Sequence, residues 1–329
     1  MNPVAYALVD TIKIQQPKFS DLNSSISYPS TIAINADKTK IYYNGNGSAG
    51  DRLYSYDIAS NTHSNIGDMY SGSFYSTYGL RIAGIKDNKV YSIANISSAD
   101  YFLVYNLDTN TIEEEINLGS YALQNVINIS TYWNNSNDRR AGFVLIGDYI
   151  YYWGIDRTTY DKLRMGKINI NSKAITSLAE NTDLDQTGGL YAVDGQYIYF
   201  FSYRIGGNYL YRYDTTNNIW ELRGYAPSYI DEVIYYFDLV PIVNDFIYLP
   251  CDEKNHIYKY NMTDNYFATE SYLEKPIEDQ SMFGVADFND CFFFDLSKSS
   301  GSTNNVYKYS PQIIVNKKNA LNYLGGVAD

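Results

Sequence analysis

Apolar and polar residues alternate with a period of two along short runs of this chain, and clusters of Asn, Asp, Thr and Ser separate the runs. In "NYLYRYDTTNNIWELRGYAP" (208–227), Tyr209, Tyr211 and Tyr213 fall on one face of a strand. The polar stretch Asp-Thr-Thr-Asn-Asn then makes a turn, and Trp220 sits in a returning strand. The unit recurs as "LYSYDIASNTH" (53–63), "FLVYNLDTNTI" (102–112), "RMGKININSKAI" (164–175), "IYKYNMTDNYF" (257–267) and "VYKYSPQIIV" (306–315). Ahead of each copy a short polar turn enters an aromatic strand, as in "KDNKVYSIA" (86–94) and "DGQYIYFFS" (195–202). A further apolar run precedes each of those turns, "TIAIN", "RIAGI", "GFVLI", "LYAV", "LVPIV" and "GVADF" in order. Asp-Gly, Asn-Asp and Gly-Asp at the turns are hairpin chemistry. No long segment carries the 3.6-residue helical period.

Tyr56, Tyr105, Ile168, Tyr213, Tyr260 and Tyr309 mark the same place in six copies, about 45–49 residues apart save for one expanded gap after Tyr105. Each copy holds three clear strands and room for a fourth. The predicted fold is therefore all-β, a six-bladed β-propeller of four-stranded antiparallel blades, whose radial closure protects the strand edges. Seven blades follow if residues 120–142 hide a degenerate unit. Residues 1–30 form an N-terminal segment, a closing strand or an attachment arm, and 31–329 the propeller domain. Either "VDTIKIQQP" or "PQIIVNKK" completes the last blade.

The unit "YDTTNNIWELRGYAP" resembles the kelch motif in its Tyr-Asp, its Thr/Asn-rich turn, its Trp and its downstream Pro. The resemblance spans residues 30–315 by repeat. It departs from the motif where the Gly-Gly pair that ends the kelch second strand is missing in all six copies, and only Trp220 keeps the Trp. It implies a divergent kelch-type propeller and speaks to fold more than function.

In such a blade the strands run a to d outward from the axis. The a–b and c–d turns share one face, and the b–c loops and d–a connections share the other. Here the first set is short (Asp194-Gly195, Thr215 to Asn218). The b–c loops are longer, at Gly45 to Asp51, Asp156 to Lys162 and Lys298 to Asn305, and the d–a connections longest, at 70–79, 120–142 and 224–237. Long loops on one end of a rigid scaffold are where binding sits, and 120–142 exceeds the about 12–15 residues usual for a connector. The candidate ligand-binding residues are Tyr75, Tyr78, Tyr132, Trp133, Arg139, Arg140, Arg157, Arg204 and Tyr229. Aromatic planes beside amides and guanidinium donors suit sugars or peptides. Tyr132 and Trp133 have a second reading, as plugs between blades. Trp153 reads as core, and Trp220 as structural at the kelch-like blade position.

Composition narrows the function. The 329 residues include 37 Tyr, a sheet former. A net charge of -12 leaves no basic footprint for nucleic acid or an anionic membrane. Cys251 and Cys291 are too few for a disulfide framework and read as buried free thiols. No run is long enough to span a membrane, and the N-terminus lacks a signal-peptide pattern. His63 and His256 lie in different copies with no nucleophile motif. No metal-ligand spacing occurs, and "DLDQTGG" (183–189) reads as an exposed acidic loop rather than a Ca²⁺ site. No catalytic residue, metal or cofactor is expected. Paired carboxylates of a glycosidase stay open, given 37 acidic residues.

Abundant Asn, Ile, Lys and Tyr suggest an AT-rich coding sequence, as in low-GC bacteria and their phages. The expected role is non-enzymatic recognition of a bacterial surface glycan or protein, as a receptor-binding or accessory tail protein of a phage or phage-tail-like particle made in the bacterial cytoplasm. Its partners would be surface polysaccharide, surface protein or neighbouring particle subunits. The alternatives are a cytoplasmic kelch-like adaptor, a propeller glycosidase or lyase, and a plain structural spacer.

Overall fold

The structure is a computed structural model that describes residues 31–309 apart from 48–49, 71–79, 97, 128–140, 156–162, 185–188, 203–207, 227–236, 252–255, 273–281, 287–289 and 296–304. The described residues form six sheets in chain order. Blade one is β1 (Ile32–Ile34), β2 (Lys40–Gly47), β3 (Gly50–Asp57) and β4 (Thr62–Asp68). Blade two is β5 (Arg81–Lys86), β6 (Lys89–Ile96), β7 (Ala99–Asn106) and β8 (Thr111–Ser120), followed by a short helix, α1 (Ala122–Ile127). Blade three is β9 (Ala141–Ile146), β10 (Tyr149–Ile155), β11 (Leu163–Asn169) and β12 (Ile175–Ser177). Blade four is β13 (Gly189–Asp194), β14 (Tyr197–Ser202), β15 (Asn208–Asp214) and β16 (Ile219–Ala226). After β17 (Phe237–Leu239), blade five is β18 (Ile242–Val243), β19 (Phe246–Cys251), β20 (His256–Asn261) and β21 (Tyr266–Tyr272). The last sheet is β22 (Met282–Ala286), β23 (Cys291–Asp295) and β24 (Asn305–Tyr309).

The expectation of six or seven four-stranded blades is thus corrected. Five blades have four antiparallel strands of their own, and the sixth copy gives a three-stranded sheet among the described residues. The expanded gap 120–142 holds the end of β8, α1 and the start of β9, with no added strand in its described part. The innermost strands pack side by side around the axis: β1 on β5, β5 on β9, β13 on β18, β18 on β22, and β22 back on β1. The N-terminal segment, a called closing strand, lies outside the described residues, as does 310–329.

The repeated motif builds one turn. In five of the six copies the residue after the marker position is Asp or Asn, and its Oδ1 accepts backbone N–H groups of the c–d turn. Asp214 holds Thr216 and Asn217 at 2.9 and 3.1 Å. Asn261 holds Thr263 and Asp264, both at 2.8 Å, and Asn106 and Asn169 do the same in their blades. The turn ends on Asn61, Asn110, Asn218 or Asn265 at φ 54–57°, a left-handed position that Asn tolerates. Three marker tyrosines donate their hydroxyl to that Asn: Tyr56 to Asn61 and Tyr213 to Asn218 at 2.6 Å, Tyr260 to Asn265 at 2.7 Å. Blade three replaces both partners, with Ile168 and Lys173. The a–b turns Asp87-Asn88 and Asn244-Asp245 have positive φ at both residues, as two-residue hairpins require.

Two expectations about the strands fail for local reasons. The run "LVPIV" was read as one strand. Pro241 has no N–H to give a ladder, and the run divides there. β17, just before it, pairs in parallel with β13 of blade four, and β18, after it, starts blade five. The b–c loop called at Gly45 to Asp51 is mostly strand, since pairing continues to Gly47 opposite Gly50.

The core lies between blades. In blade four Phe200, Tyr211 and Tyr213 face blade three, while Tyr199, Phe201 and Leu210 face blade five. Burial of both faces explains why "YIYFFS" is apolar throughout rather than alternating. Trp153 is fully buried, with its ring 4.8 Å from Tyr191 and 5.0 Å from Phe200 in edge-to-face contact. Burying a large side chain of this kind stabilises by about 1.5–3 kcal/mol.

Candidate binding face

Strand direction places every b–c loop and d–a connection on one face, and the d–a connections are the longest links of the fold. All nine candidate residues from the sequence fall in those links and outside the described residues. Tyr75 and Tyr78 lie between β4 and β5. Tyr132, Trp133, Arg139 and Arg140 lie between α1 and β9. Arg157 lies between β10 and β11, Arg204 between β14 and β15, and Tyr229 after β16. What the structure describes is the ground these links leave from.

At the foot of the longest link, Asp100, the second residue of β7, is fully buried. One carboxylate oxygen accepts Asn95 Nδ2 at 2.7 Å and the other the Leu123 backbone N–H at 2.8 Å. Leu123 is fully buried between blades two and three, and its carbonyl accepts the Tyr152 hydroxyl at 3.3 Å. Tyr121, just before α1, donates its N–H to the Ser98 carbonyl at 3.0 Å and its hydroxyl to Ser98 Oγ at 2.6 Å. α1 is therefore pinned to blade two at both backbone and side chain. Burial holds the Asp100 carboxyl above the usual carboxylate range, against the pull of its two donors. Asn95 Oδ1 and Gln124 Nε2 are buried without a hydrogen-bond partner among the described residues.

A second feature lies on the rim between blades three and four. β12 has three residues and β16 has eight, so blade three cannot cover the whole face that β16 turns toward it. Near the c–d turn that face is closed: Trp220 packs 4.9 Å from Tyr213 and donates Nε1–H to the Ala179 carbonyl at 2.9 Å. Toward the long-loop end it is open, with Leu222 47% and Tyr225 65% exposed. A bulge at Leu210/Tyr211 pairs Tyr211 with Leu222 and Tyr209 with Tyr225, which brings Leu222 and Tyr225 onto one side. The Tyr209 ring stands 5.4 Å from Tyr225 and 6.2 Å from Tyr211. Tyr211 donates its hydroxyl to Asp183 Oδ2 at 2.8 Å, and burial with that carboxylate nearby pushes its own pKa up.

The sequence called neither feature. Asn95 and Asp100 flank a tight hairpin, a faint sign of a shared role. The Tyr209–Tyr211–Tyr213 alternation was visible, but not that its first member lies past the edge of a shortened neighbour. Trp153 is core, as expected, and Trp220 is partly buried against the same cluster. Asp183 is exposed, as read for its acidic loop. His63 is the second residue of β4, its Nδ1 2.9 Å from the Tyr43 hydroxyl, and burial lowers its pKa. His256 opens β20 opposite Cys251. Cys291 is buried. Among the described residues, no three His, Cys, Asp or Glu side chains converge.

No family model matches the chain. No curated protein matches it in sequence. Solved structures do match in shape. The PQQ-bound aldose sugar dehydrogenase of Streptomyces coelicolor aligns with a TM-score of 0.59 at 8% identity, over 89% of this chain and 98% of that one. A chain of the mitotic checkpoint complex aligns at 0.55 and 9% identity, over 94% and 97%. A luciferin-regenerating enzyme aligns at 0.54 and 9% identity, over 89% and 95%. These are β-propeller proteins of unlike activity, and with the blade topology above they establish that this chain is a β-propeller protein.

Proposed function

We propose that this propeller is a non-enzymatic recognition module that binds a bacterial surface glycan or protein through its long-loop face. The observation that supports it most is the exposed aromatic edge of β16, at the root of the links that carry Arg204 and Tyr229. Large aromatics left in water on a rigid strand are costly unless a partner covers them. The setting we favour is a receptor-binding or accessory tail protein of a phage-like particle, on the composition alone. Two of the similar structures are an aldose sugar dehydrogenase and a luciferin-regenerating enzyme, so a propeller enzyme is the reading to test against.

The test is binding of the labelled protein to a panel of low-GC bacteria, with free wall polysaccharides as competitors and product analysis of the same mixtures. Saturable binding that the polysaccharide competes, without turnover, is expected. Release of sugar or oxidised sugar would replace this reading with the enzymatic one. Capture of one soluble protein without cell binding would favour an adaptor.

A further inference from the structure

We propose that the rim between blades three and four is a subsite for one neutral pyranose ring of a glycan. The inference rests on the recognition reading above and assigns that face a ligand chemistry. Sugars present an apolar C–H face ringed by hydroxyls, so their sites pair an aromatic plane with acceptors and donors at its edge. The rim has both. Tyr209 and Tyr225 open at an interplanar angle of 53° with centroids 5.4 Å apart, an arrangement that offers one stacking plane and one flanking wall. Leu222, 47% exposed, floors the same side opposite Tyr211. Beside them, the exposed Asp183 carboxylate spends Oδ2 on the Tyr211 hydroxyl and keeps Oδ1 without a partner among the described residues. The Tyr209 and Tyr225 hydroxyls likewise form no hydrogen bond among the described residues.

Charge selects the class of sugar. Asp183 and the net charge of -12 repel uronic and phosphorylated units. Among the described residues, Arg164 is paired with Glu180 at 3.6 Å, Arg212 with Glu221, and Arg223 donates to Asn265 at 2.7 Å. A neutral ring that donates its hydroxyls to Asp183 and stacks its C–H face on Tyr225 matches what remains. Tyr225 and Asp183 lie at the surface, and Asp183→Asn keeps an acceptor for the buried Tyr211 hydroxyl.

The experiment titrates the purified protein with maltohexaose, cellohexaose and chitohexaose, following saturation-transfer NMR and tyrosine fluorescence. Cell binding is measured in parallel. At least one of the three should bind the wild type. Tyr225→Ala should weaken it by about tenfold, the scale of one lost aromatic stack. Asp183→Asn should weaken it less, and Tyr209→Phe should keep the ring and most of the affinity. No binding of any of the three, or equal affinity in Tyr225→Ala with an unchanged melting temperature, overturns the subsite. If cells still bind while the sugars do not, the long-loop reading stands without this subsite. If neither binds, both fall.

Discussion

Gly142 shows how little room the interblade layers leave. A Cβ added there would sit 2.1 Å from the Trp153 ring, so Gly142→Ala forces either the indole or β9 to shift. Overpacking of this kind costs about 1–3 kcal/mol, and a lower melting temperature with unchanged circular dichroism is the expected result. Asp100 makes a prediction with a sign. Its folded pKa lies above the unfolded value of about 3.9. Its favourable share of stability is therefore complete below that value and is lost as pH rises through the folded pKa. Asp100→Asn removes the buried charge, keeps an acceptor for Leu123 N–H, and gives the Asn95 amide a partner after a flip. Denaturant unfolding should show the variant gaining on the wild type between pH 4 and pH 7. A gain that shrinks over this range would contradict the account.

At the scale of elements, the c–d turns carry the repeat. Asn261→Ala deletes two hydrogen bonds to turn backbone, and a loss of about 1–2 kcal/mol in unfolding free energy is expected. This part of the fold was legible in sequence because one Asx, one left-handed Asn and one Tyr act locally, within a span of about six residues. The hairpin turns and the core Trp153 were legible for the same reason. The division at Pro241 was marked by the proline itself, yet which sheet each half joins depends on packing across blades. α1 is too short to show a period, and it exists because Asp100 and Ser98 hold its start. The rim aromatics needed two facts that no single strand carries: that β12 stops after three residues, and that a bulge turns Leu222 and Tyr225 to one side. The nine called residues sit in links whose course the described residues do not include, so their roles rest on sequence.

For the whole molecule, the two faces differ in kind. One is made of short turns tied by their own side chains, and between blades by contacts such as Arg223 to Asn265. The other gathers every long link, the Asp100 anchor and the open end of β16. On the reading proposed above, binding belongs to the second face. The direct test compares cell binding by two double variants. Tyr209→Ser with Tyr225→Ser alters the long-loop rim, and Ala59→Glu with Thr216→Glu alters exposed positions on the c–d turns. The rim pair should lose binding about tenfold or more while the turn pair binds as the wild type does. Loss in the turn pair with full binding in the rim pair would place recognition on the opposite face and contradict that reading.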